Sequence, residues 1–99
     1  MVSVRRKHTG IPNTIFLSTR GHGRHAARIK VAINLPDSLN AASSTASMLI
    51  HDYRVIGATM PPRLVEELKQ WIDLNRDALM AYWNEEIDTA ELLERLRRT

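Results

Sequence analysis

PPRLVEELKQWIDLNRDALMAYWNEEIDTAELLERLRR, residues 61–98, holds both tryptophans, most of the acid and nearly all of the helix signal. Leu64, Leu68, Trp71, Ile72, Leu79, Tyr82 and Trp83 recur at steps of three and four, with Val65 at the edge of the stripe. At roughly 100° per residue they fall on one face of a helix. Glu66, Glu67, Lys69, Gln70, Asp73 and Asp77 fall off it and form a wet face. Pro61 and Pro62 start this helix, because a first-turn proline forfeits no helical hydrogen bond and its φ is already suitable. Asn75 interrupts the stripe. Either the helix runs through and Asn75 is a satisfied buried polar group, or it breaks and Asn75 caps a new helix from Arg76. Leu74 and Met80, which lie off the continuous stripe, favour a break or kink.

A second helix follows. Asp88 and Glu91 have the spacing of a capping box, and Ile87 and Leu92 can form the hydrophobic staple around it. Leu92, Leu93 and Leu96 give a short apolar face, and Arg95, Arg97 and Arg98 sit where the helix dipole favours cations. A helix this short is not stable alone, so it must dock, most simply against the first. The spacing predicts helices over 62–84 and 89–97.

Working outward, the preceding chain reads as sheet. Thr14 to Thr19 is rich in β-branched and aromatic residues, and Gly21-His22-Gly23 makes a turn. From His25 to Leu35 the pattern alternates: Ala27, Ile29, Val31, Ile33 and Leu35 point one way, Arg24, Arg28, Lys30 and Asn34 the other. Pro36 to Ser47 is small, polar and aperiodic, a mobile loop. Met48 to His51 and Arg54 to Ala58 form a second hairpin around Asp52-Tyr53, with Gly57 marking a bulge near its end. Residues 1–12 read as a basic flexible arm, and 13–99 as a single domain. The fold class is α+β: about four strands in two hairpins, one small antiparallel sheet, packed against C-terminal helices.

Composition narrows the function classes. The chain has 99 residues, a net charge of +3 and no cysteine, which excludes disulfides and thiolate metal sites. No apolar run approaches the roughly 18 residues needed to span a membrane, and Arg5-Arg6-Lys7 is not followed by the apolar segment of a signal peptide. A cytoplasmic protein is the simplest expectation. Charge is uneven: residues 1–54 carry eight Lys or Arg and two acids, whereas residues 55–99 carry six and nine. A basic half containing all four histidines suits a polyanionic partner, or simply a solvated basic surface.

The late strand pair Ala46 to Ala58, the helix start Met60-Pro61-Pro62-Arg63, and the run Trp71-Ile72-Asp73-Leu74-Asn75-Arg76-Asp77-Ala78-Leu79-Met80-Ala81-Tyr82-Trp83 carry a resemblance. They are similar to a family of small bacterial proteins with a domain of unknown function, whose helix reads Trp-x-x-Leu-(His/Asn)-Arg-(Asp/Glu)-x-Leu-x-x-x-Trp. The match covers about half the chain. It implies a small antiparallel sheet with C-terminal helices. It also implies a partner protein encoded nearby, since genes of that family often occur in toxin–antitoxin-like pairs. The family's closely spaced His-Phe-His is replaced here by His22-Gly-Arg-His25, so no site role is carried over.

The candidate chemistry follows from strand parity. Arg24, Arg28 and Lys30 form a row about 7 Å apart along one face, which Arg20 on the neighbouring strand and the arm residues Arg5, Arg6 and Lys7 can extend. Such a row suits the phosphates of RNA or DNA. His22, His25 and His51, with Asp52, are weak metal candidates: His-x-x-His on a glycine turn is unspecific, and His25 shares the inward parity of Ala27 and Ile29. No metal or cofactor is expected. His25 and His51 are also the weak candidates for general acid and base in a metal-independent ribonuclease. Trp71, Tyr82 and Trp83 lie on the buried stripe, which makes them core rather than a base-stacking platform. The preferred expectation is a non-enzymatic binding module for a partner protein, nucleic acid or both; the alternative is the ribonuclease.

Overall fold

The computed structural model describes residues 2–19, 26–36 and 45–99. Five strands, β1 (Val2–Val4), β2 (Asn13–Leu17), β3 (Arg28–Pro36), β4 (Thr45–Leu49) and β5 (Val55–Ile56), form one antiparallel sheet in the order β1-β2-β3-β4-β5. A helical turn, α1 (Arg6–Thr9), links β1 to β2, and α2 (Pro62–Trp83) and α3 (Thr89–Arg95) follow the sheet. The α+β class with C-terminal helices is therefore observed, with five strands rather than four.

The alternation of β3 does what the sequence pattern requires. Ile29 pairs with Met48 and Val31 with Ala46, and all four are buried in the core. On the same face Ile15 and Leu17 of β2 join Leu64, Leu68, Trp71, Ile72 and Leu79 of α2. The stripe of α2 thus closes the sheet's apolar face, as its spacing predicts, with Trp71 fully buried and Trp83 only half-buried. Leu92 of α3 is fully buried in the same core, and Leu93, Leu96 and Ile87 pack around it. The capping box is formed: the Glu91 backbone N–H donates to Asp88 Oδ1 at 2.8 Å, and the Asp88 N–H donates to Glu91 Oε1 at 3.3 Å.

Three expectations are corrected. The described part of the expected flexible arm 1–12, residues 2–12, is not loose. Val2–Val4 pairs with β2, Val4, Thr9 and Ile11 are fully buried, and α1 ends on Gly10 in the left-handed region at φ 79°. Thr9 Oγ1 closes this turn by bonding both the N–H and the carbonyl of Ile11. Nor does the loop extend to Ser47, since Thr45–Ser47 already belongs to β4 and pairs with Ala32, Val31 and Lys30. Finally, α2 does not break at Asn75. It runs unbroken for 22 residues with Asn75 only 3% exposed. The Asn75 amide donates to the Trp71 carbonyl and to the Arg97 carbonyl, both at 3.0 Å, and its Oδ1 accepts the Arg97 N–H at 2.7 Å. A polar residue inside the stripe is tolerated because every bond it needs comes from backbone.

β2 and β3 are out of simple register near one end. Asn13 pairs with Pro36 but Ile15 with Val31, so β3 carries extra residues in between. The Asn13 amide occupies part of that irregularity, donating to the Ala32 carbonyl at 2.8 Å.

Candidate functional site

The strand positions on the face opposite the core make one continuous cross-strand row: Ser3, Phe16, Lys30, Ser47 and Ile56. Lys30 sits at its centre, and Arg28 lies two residues along β3 on the same face. The row contains no acid. Among the described residues neither Arg28 nor Lys30 forms an ion pair; Arg28 Nε makes only a 3.5 Å contact to the Ala26 carbonyl. Their parity is as expected, but the face is not uniformly open. Arg28 and Lys30 are half-buried, and Phe16, Thr14 and Ala32 on this side of the sheet are buried outside the main core. The accessible cationic strip is therefore short. Arg20, His22, Arg24 and His25, and with them the Gly21–Gly23 turn, lie outside the described residues.

His51 is exposed in the turn between β4 and β5. Its neighbour Asp52 is engaged by Arg54, whose backbone N–H donates to Oδ1 at 3.1 Å and whose guanidinium stands 3.9 Å from Oδ2. Asp52 thus shapes the turn rather than serving His51. Among the described residues no group of three or more His, Asp or Glu side chains gathers closely enough to hold a metal ion.

The same turn carries a cluster that the sequence did not reveal. Tyr53 adopts φ 63°, a left-handed conformation that costs a non-glycine residue on the order of 1 kcal/mol or more. Its hydroxyl donates to Asp73 Oδ1, and Arg76 Nη2 donates to both, at 2.6 Å to the hydroxyl and 2.8 Å to the carboxylate. Arg76 Nη1 donates to the Ile50 carbonyl at 2.5 Å, and its guanidinium lies 5.4 Å from the centre of the Tyr53 ring. Lys69 approaches the same ring at 5.7 Å. The Tyr53 hydroxyl is held above its ordinary pKa, chiefly because Asp73 accepts its hydrogen. Asp73 is held below the ordinary carboxylate range, first by Tyr53 and then by Arg76. This cluster fastens the β4–β5 turn to α2 and fixes where His51 is displayed. Asp73 and Arg76 stand three apart, one helical turn, and that spacing was the sole sequence signal.

No family model, curated protein or solved structure matches the chain. Among the described residues no helix is long and apolar enough to cross a membrane.

Proposed function

We propose that this chain is a non-enzymatic binding module that contacts nucleic acid through the outer face of the β2–β3 hairpin. The observation that carries the reading is the acid-free cross-strand row centred on Lys30, with Arg28 beside it. Two cations at alternate strand positions stand roughly 7 Å apart, close to the separation of successive phosphates on one strand. The alternation of the sequence extends the expectation to Arg20 and Arg24, which lie outside the described residues. Phosphate contacts carry no base information, so binding is weak, salt-dependent and nearly indifferent to sequence.

A partner protein encoded nearby is the second reading, as the helix-motif resemblance implies. It draws support from an edge of the sheet that no strand pairs among the described residues. β5 is the terminal strand, and Ile56 on it is one of two large apolar side chains left exposed among the described residues.

The test is a titration of short RNA and DNA with wild type and with a variant whose His8, His22, His25 and His51 are all alanine. Unchanged binding by the histidine-free variant, without RNA cleavage by wild type, is expected. RNA cleavage by wild type that disappears in His25→Ala would replace this reading with the ribonuclease using His25 and His51.

A further inference from the structure

The chain's first helical turn and its last residues meet. Gly10, at φ 79°, closes α1, and an added Cβ there would come within 2.8 Å of the Thr99 carbonyl oxygen. The Thr99 N–H and hydroxyl both reach the Thr9 carbonyl, at 3.1 and 3.2 Å. On the other side Arg97 is clamped through its N–H and its carbonyl by Asn75. Arg98 therefore sits between two backbone anchors. It lines, together with Arg5, Arg6 and Lys7, a surface depression of about 430 Å³. Among the described residues the lining is Arg5, Arg6, Lys7 and Arg98, all of them cationic and exposed.

We infer that this depression is an anion site for a phosphate monoester. Like charges held together repel, more strongly where solvent is partly excluded. A bound anion reverses that sign. The arrangement of the cations selects the ligand. An extended row suits successive diesters, each with one charge. Cations gathered around one open depression suit a single group of higher charge, and a monoester carries about −1.5 to −2 at neutral pH. Arginine supplies paired donors that match phosphate oxygens, and the anchored backbone at Arg98 reduces the entropy lost on binding. The site needs only Arg5, Lys7 and Arg98. Two sources present this chemistry, a free nucleotide and the 5′-end of a nucleic-acid strand. The second rests on the nucleic-acid reading above; the site itself does not.

The experiment compares adenosine monophosphate, a short RNA with a 5′-phosphate, and the same RNA with a 5′-hydroxyl, all binding to the full chain at low salt. The phosphorylated RNA should bind about tenfold tighter than its hydroxyl twin, the gain from one charge-assisted contact set. That preference should fade as pH falls through about 6, where the monoester gains a proton. Arg98→Glu should erase it, and Arg98→Lys should keep part of it. Both variants should melt as wild type does, because the side chain is exposed. Tighter binding of the phosphorylated RNA than of adenosine monophosphate assigns the strand end. Equal binding of the two, lost in Arg98→Glu, assigns the free nucleotide. If adenosine monophosphate binds and neither RNA does, the site stands and the nucleic-acid reading fails. If both RNAs bind equally and adenosine monophosphate does not bind, the site is overturned while the nucleic-acid reading survives. A preference that persists in Arg98→Glu overturns it as well.

Discussion

Within one turn of α2, two polar ties fasten the helix to other parts of the chain, and they work by different physics. Asn75 is buried and neutral, and its amide is consumed by backbone groups of Trp71 and Arg97. Asp73 and Arg76 are solvent-accessible and charged, and they hold the Tyr53 side chain. A buried amide stripped of its partners pays the full desolvation cost, so the first tie is all-or-none. Solvent screens the second, which makes it weak and tunable. The first fixes architecture, including where Arg98 stands. The second positions a surface turn and responds to pH.

The surroundings of the buried tie set the largest expected effect. Trp71 is fully buried one turn before Asn75, and Trp71→Ala should cost roughly 3–5 kcal/mol in chemical denaturation, the usual range for emptying an aromatic site. A loss below about 1 kcal/mol would mean that the stripe faces solvent. Next comes Asn75→Leu, similar in volume but without donors or acceptors. It should cost about 1–3 kcal/mol, the net of three hydrogen bonds less the gain from an apolar side chain. It should also free the Arg97 amide to exchange with solvent. A stability change near zero with Arg97 still protected would show that the Asn75 amide does not hold the C-terminal segment.

The exposed tie should give a smaller effect, visible mainly as pH dependence. The depressed folded pKa of Asp73 contributes stability that is complete above roughly pH 4 and is lost as pH falls through the folded value. The raised Tyr53 pKa contributes stability complete below roughly pH 10 and lost as pH rises through the folded value. Tyr53→Phe should therefore move the Asp73 carboxyl titration, followed by NMR, up toward the ordinary range. Arg76 alone would keep it slightly low. An Asp73 titration identical in wild type and variant would show that the tyrosine hydroxyl does not hold the carboxylate.

The contrast also explains what was legible beforehand. α2, the Asp88–Glu91 capping box and the inward face of β3 depend on residues a few positions apart, and such patterns are written in the sequence. The interruption at Asn75 read as a break because its partner, Arg97, is 22 residues away. β1 was missed because three residues show no usable alternation; its strand exists only by pairing with Leu17, Phe16 and Ile15. The Tyr53 cluster joins positions 20 and 23 residues apart, and the Arg98 depression joins opposite ends of the chain. Strand parity gives the face of Arg28 and Lys30, whereas their partial burial depends on tertiary packing that parity does not encode.

The proposed nucleic-acid surface is tested most directly by the salt dependence of binding. The measurement is the slope of log affinity against log salt for a short RNA or DNA, wild type against Arg24→Ala/Arg28→Ala/Lys30→Ala. Each phosphate contact contributes about 0.7 to 0.9 to that slope. The triple variant should fold as wild type does, bind more weakly to every sequence, and show a slope smaller by roughly two to three. An unchanged slope, or no binding by wild type at low salt, would contradict the nucleic-acid reading and leave the partner protein in its place.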